Sequence, residues 1–177
     1  MAVLASGERI RARTIVLATG GLYLPEDLRG ILRPCWSYFT YLKASPTSFP
    51  KPSPHSPNFF TFDFSHDWCV TDGEVRISGE DHFSGLKPPN YRERCAILER
   101  WLRERYPKLN TPVQRLHYGI YSETPDALPI LGRKEAGSNV VYLLGCNAWG
   151  QSILSYCASL VPGTYPHPFF RHYSGAN

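Results

Sequence analysis

No stretch of this 177-residue chain is apolar for long enough to cross a bilayer as a helix. The N-terminus offers only Ala2, Val3, Leu4 and Ala5 before charges arrive, too little for a secretory leader. Its five cysteines, at 35, 69, 95, 146 and 157, form no C-x-x-C pair. Their odd count suits neither a disulfide framework nor a zinc site. His66 and Cys69 make one isolated pair, which reads as structural. The net charge is only +4, and no basic block or stacking motif is present. The densest basic stretch, residues 92–105, alternates with Glu93, Glu99 and Glu104 and reads as a solvated helix face. Nucleic acid is therefore not an expected partner, no membrane span is expected, and the expected setting is a reduced, soluble, intracellular compartment. No internal repeat occurs.

What is present is globular: 42% hydrophobic residues and a high 14% aromatic content, which suits β-rich walls, ligand pockets or a plain core. Residues 14–18 form a continuous apolar run ended by Thr19, Gly20 and Gly21. Such a run is typical of a strand covered on both faces. Beyond Pro25 the pattern becomes antiparallel β. Residues 36–42 are aromatic and strand-like, and residues 58–64 place Phe60, Phe62 and Phe64 on one face. Residues 74–78 alternate too, after a hairpin turn at Thr71, Asp72 and Gly73. A Pro/Ser loop fills 44–57. Tyr91, Cys95, Leu98 and Leu102 recur at helical spacing and predict a helix over 90–106, stopped by Pro107. Residues 118–132 read as β and turn, and the tail beyond 163 is irregular.

The most informative segment is 139–160: a short β-run, a glycine-broken turn, then an apolar-periodic helix. A strand feeding a helix through glycines aims backbone N–H groups and the positive end of the helix dipole at one point. Either something electron-rich sits there, or the glycines simply end a strand and start a helix.

Three runs in order resemble one family: RTIVLATGG at 13–21, GIYSETPDALPILG at 119–132 and YLLGCNAWGQS at 142–152. Together they are similar to the C-terminal half of FAD-dependent amine and amino-acid oxidoreductases of the D-amino-acid oxidase superfamily, the group of glycine, sarcosine and pipecolate oxidases. The resemblance covers most of residues 8–163 and implies an α/β fold, α+β in its substrate part. By that resemblance it would be the C-terminal portion of an FAD/NAD(P)-binding Rossmann-like domain plus an antiparallel β-sheet substrate domain. Residues 1–27 would be terminal strands of the FAD domain, 28–117 the substrate domain, 118–163 the return to the FAD domain, and 164–177 the tail. Thr19 and Gly20 would end a strand beside FAD. Gly145, Ala148, Trp149, Gly150, Gln151 and Ser152 would form the turn and helix start under the flavin ring, where a helix dipole favours the reduced cofactor.

Where many relatives have Gly-x-Arg-Pro, this chain has Gly119, Ile120, Tyr121 and Ser122. That arginine grips a substrate carboxylate, a bidentate role tyrosine cannot fill. The tyrosine form looks more like the sarcosine oxidase branch, whose flavin is often attached to a cysteine two positions earlier. Here that position is Gly119, so FAD would be non-covalent. The expected partner is a small-molecule amine or amino acid, with this departure making a simple α-amino acid less secure and a secondary amine more plausible. Tyr121 and His82 are the candidate catalytic residues; the Glu80, Asp81 and His82 cluster reads either as the rim of a pocket or as a polar turn.

No G-x-G-x-x-G fingerprint occurs in the sequence, although such a motif binds the pyrophosphate of a dinucleotide. The resemblance thus implies a truncated oxidoreductase that is inactive and binds FAD poorly or not at all by itself. The alternative is a non-catalytic fragment, or a partner subunit completing a flavin site with the N-terminal half as a separate chain.

Overall fold

The computed structural model describes residues 1–43, 58–60, 65–71, 73–87, 90–133, 135 and 137–161. The expected loop at 44–57, the side chains of Phe60, Phe62 and Phe64, Asp72, and the tail from 164 lie outside the described residues. In chain order the elements begin with β1 (Ala2–Val3), β2 (Arg9–Ile10), β3 (Ile15–Leu17) and a 3-10 turn (Glu26–Leu28). They continue with β4 (Arg33–Lys43), β5 (Asn58–Phe60), β6 (His66–Thr71), β7 (Glu74–His82) and α1 (Tyr91–Arg105). The last are β8 (Val113–Glu123), β9 (Ile130–Arg133), β10 (Val140–Leu144) and α2 (Gly150–Leu160). The fold is mixed α/β, with antiparallel strands and few helices. Two compact units divide the chain: Met1–Pro34 with the residues from Tyr121 onward, and Cys35–Ile120.

In the Cys35–Ile120 unit the sheet order is β5-β6-β7-β4-β8. Alternation along β4 sends Trp36, Tyr38, Thr40 and Leu42 inward, as a pleated strand with one covered face requires. Helix α1 packs on β7. Its Cys95, Leu98 and Leu102, at the predicted helical spacing, are fully buried with Tyr38, Leu42, Val75 and Ile77. Burial of each such leucine contributes about 1.5–3 kcal/mol. Glu93 in the first turn and Arg103 and Arg105 in the last complement the helix dipole. Arg103 also donates to the carbonyls of Leu109 and Thr111, anchoring the chain that leaves the helix.

The other unit is built on a three-stranded sheet, β3-β10-β9. The apolar run of β10 is buried on both faces. Tyr142 and Leu144 join Leu28, Leu32 and Ile130, while Val141 and Leu143 join Leu131 and Cys157 of α2. That is why the strand carries no polar alternation. β3 runs parallel to β10, with Leu17 opposite Tyr142, and β9 runs antiparallel on the other side. Tyr142 also donates its hydroxyl proton to the Asp27 carboxylate in the 3-10 turn. Burial and that neighbouring carboxylate push the phenol up to about 12, so it remains a donor. No helix among the described residues is long and apolar enough to cross a membrane.

Candidate functional site

Because β3 and β10 are parallel, their C-terminal ends lie at the same sheet edge. Thr19 and Gly20 leave β3 there, and Gly145 leaves β10. Thr19 donates its hydroxyl proton to the Tyr23 carbonyl (2.8 Å), closing a turn in which Gly20 has φ +61°. The second turn is unusual. Gly145 (φ +72°), Asn147 (+50°) and Ala148 (+65°) are all left-handed, and two of the three are not glycine. Each non-glycine residue held there costs about 1–3 kcal/mol and persists only where its surroundings enforce it.

The surroundings do enforce it. The Asn147 N–H donates to the Ser122 carbonyl (3.2 Å), and the Gly145 N–H donates to Ser122 Oγ (3.1 Å). Asn147 Oδ1 accepts from the Thr124 N–H (2.8 Å), and Asn147 Nδ2 donates to the Gly145 carbonyl (2.7 Å). Thr124 Oγ1 donates to the Leu128 carbonyl (2.8 Å). Ser122 is wholly buried and Thr124 nearly so. The turn then delivers α2, whose N-terminus has no side-chain cap and no acidic residue in its first turn. Trp149, Gln151 and Ser152 are exposed at this end, Trp149 by 52%. An uncapped helix start leaves first-turn N–H groups and the positive end of the helix dipole free to favour an electron-rich group. Burial pushes the Cys146 thiol up, so it stays protonated rather than acting as a thiolate. Tyr121, three residues before Thr124, donates to Glu123 Oε1 (3.0 Å).

His82 lies in the other unit, at the end of β7. Between β4 and β7 the register slips: Tyr38 faces Gly79, but Trp36 faces His82. This is a β-bulge, with Gly79 at φ +140° and Glu80 at φ +57°. The Glu80, Asp81 and His82 cluster is therefore part of a strand, and its reading as a polar turn is corrected. The bulge aims Glu80 at His66 Nε2 (3.3 Å) and Arg94 Nη1 (3.2 Å). His82 stacks on Tyr38, whose hydroxyl is 3.4 Å from His82 Nδ1. Burial pushes Tyr38 up to about 12. Burial, then Arg94, lowers the His82 pKa, with Asp81 opposing. A neutral phenol donating to a neutral imidazole fits both directions. Among the described residues no group of three or more His, Cys, Asp or Glu could hold a metal ion.

The sequence profile of the FAD dependent oxidoreductase family matches residues 2–161. The chain belongs to that family. It is the D-amino-acid oxidase superfamily, and its members use FAD. No curated protein matched in a direct sequence search. Iminodiacetate oxidase from Chelativorans is a similar solved structure, with TM-score 0.72 and 18% identity over 97% of this chain and 48% of its own. Glycine oxidase from Geobacillus kaustophilus gives 0.69 and 16% over 85% of this chain and 40% of its own. Fructosyl amine:oxygen oxidoreductase from Aspergillus fumigatus gives 0.71 and 15% over 99% and 43%. At these identities the likeness is one of fold. The chain spans about half the length of each, or less.

Sequence reasoning found the glycine turn of this family member but passed over Ser122, Thr124 and Asn147. The signal was available in part. Asparagine is the commonest non-glycine residue in left-handed turns, and Asn147 stands two residues after a glycine. Its partners on β8 and just beyond are distant in sequence, and nothing local announces them.

Proposed function

We propose that the chain forms the flavin-facing part of an FAD-dependent oxidoreductase acting on the CH–NH group of an amine or amino acid. The observation that carries this is the uncapped α2 N-terminus, delivered by a left-handed turn to the edge where β3 also ends. FAD, when bound, supplies the hydride acceptor. In this reading residues 1–27 and 118–163 hold the cofactor and 28–117 face the substrate. Gly145, Ala148, Trp149, Gly150, Gln151 and Ser152 lie under the ring, and Thr19 and Gly20 line the same edge. The first-turn N–H groups of α2 and its dipole favour negative charge on the cofactor. Contact is non-covalent, since Gly119 offers no thiol.

Tyr121 has its proton engaged by Glu123, so toward an amine N–H its hydroxyl acts as acceptor and orients the substrate. His82, kept neutral by its lowered pKa, adds no positive charge; with Nδ1 accepting from Tyr38, its Nε2–H can donate a hydrogen bond. The G-x-G-x-x-G motif does not occur among these residues, so in this reading the pyrophosphate half of the site comes from residues other than these. Equilibrium dialysis of the 177-residue chain against FAD, riboflavin and ADP tests the reading. FAD and riboflavin are expected to bind weakly and ADP not at all, because the flavin-facing turn is here and the pyrophosphate motif is not. Binding of ADP with no binding of riboflavin would overturn the assignment.

A further inference from the structure

We propose that Asn147 is a positioning residue, clamping the turn at 145–148 to the end of β8 so that Tyr121 and the α2 N-terminus are held as one body. This rests on the reading of the turn as flavin-facing. Asn147 sits at φ +50° directly before Ala148 at φ +65°, a conformation that the chain does not adopt without being held. Its amide bonds to two segments far apart in sequence: the oxygen takes the Thr124 N–H, and the nitrogen gives to the Gly145 carbonyl. One backbone donor and one backbone acceptor fix which way the amide points. Only a side chain with both a donor and an acceptor on one rigid plane fills that role.

Ser122 completes the clamp. Its carbonyl accepts from the Asn147 N–H and its hydroxyl oxygen from the Gly145 N–H. The Ser122–Thr124 segment follows Tyr121 directly, and the 145–148 turn runs directly into α2. The two elements proposed to meet the cofactor and the substrate are thus tied through the Asn147 amide and the two Ser122 contacts. A shift of one would otherwise leave the other in place, and both must hold their geometry for the amine to meet the flavin.

The test uses the full 177-residue chain and three variants, Asn147→Gly, Asn147→Ala and Asn147→Asp. Amide hydrogen exchange is read without flavin, and FAD affinity is read by fluorescence titration up to millimolar FAD, corrected for the folded fraction. Asn147→Gly accepts the left-handed backbone but removes the amide. If the clamp matters, Gly and Ala both speed exchange over 121–124 and 145–149 and weaken FAD binding by about tenfold, the scale of one lost hydrogen bond. Exchange in β4, β7 and α1 stays unchanged. Asn147→Asp keeps the Thr124 N–H protected, since an acceptor remains, yet loses FAD affinity because an oxygen now faces the Gly145 carbonyl.

If Asn147→Gly matches the wild type in both readouts, only the backbone conformation mattered and the proposal is overturned. If exchange rises but the folded fraction binds FAD as before, the clamp is structural and the positioning role is overturned. If the wild type binds no FAD at all, the flavin-facing reading falls and the positioning role with it, while the exchange arm still decides whether the clamp exists.

Discussion

Gly145 is glycine for two separate reasons. Its φ of +72° disfavours any side chain, and a Cβ there would meet Thr124 Cγ2 at 2.8 Å. Gly137, at φ +80°, shares only the first reason, because nothing lies within 4 Å of its would-be Cβ. Gly137→Ala is expected to cost about 1–2 kcal/mol, the left-handed backbone alone. Gly145→Ala is expected to cost clearly more, about 2–4 kcal/mol once the steric contact is added. Thermal unfolding of the two variants compares them directly, and equal losses would mean Thr124 yields freely. The glycine was legible in the sequence as part of a turn expected under a flavin ring. The packing reason comes from Thr124, which no local pattern connects to it. His82 makes a second prediction at this scale. An imidazole with a lowered folded-state pKa binds its proton more readily in the unfolded chain. Its contribution is fully present above the ordinary value of 6.5 and declines as the pH falls below it. Urea unfolding at pH 7.5 and 5.5 should show stability lost on acidification, and His82→Gln should reduce that loss. An unchanged pH dependence in the variant would contradict the burial argument.

At the scale of elements, periodicity revealed what exists and missed how it is joined. The helix expected over 90–106 from Tyr91, Cys95, Leu98 and Leu102 is α1 at 91–105, because one-sided burial writes itself into spacing, and the aromatic run at 36–42 marks the middle of the strand at 33–43. The β7 bulge left no such mark, because a bulge inserts one residue and breaks the very period that identifies a strand. Polar residues in the break then looked like a turn. Gly79 is the pivot of this bulge: a Cβ there would collide with the backbone carbonyl oxygen of Ser65 on the approach to β6. Gly79→Ala must therefore push β6 and β7 apart locally, with an expected loss of about 2 kcal/mol or more in urea unfolding. Leu98→Ala, which empties a fully buried position on α1, is expected to cost about 2–5 kcal/mol by the same measurement. If Gly79→Ala were neutral, the bulge would be slack and the aim of Glu80 at His66 and Arg94 would not depend on it.

For the whole molecule, the order of three motifs carried more than any one of them. A strand ending in Ala-Thr-Gly is common, and so is a glycine turn before a helix. Their order with the Thr-Pro-Asp run between them resembled one superfamily, and the family match over residues 2–161 agrees with it. The structure adds that the strand ends at Thr19 and Gly145 share an edge through a parallel pairing, a relation between residues more than a hundred positions apart. Chain order alone does not reveal which strands become neighbours. The edge built from the β3 and β10 ends and the α2 N-terminus is the one proposed to face a flavin ring. Trp149, exposed at the start of α2, is the natural reporter, and the most direct measurement is an FAD titration followed by tryptophan emission in the wild type and in Trp149→Phe. Saturable quenching that is mostly lost in Trp149→Phe is expected. Quenching of the same size in both proteins, or none in either, would contradict the flavin-facing placement of this edge.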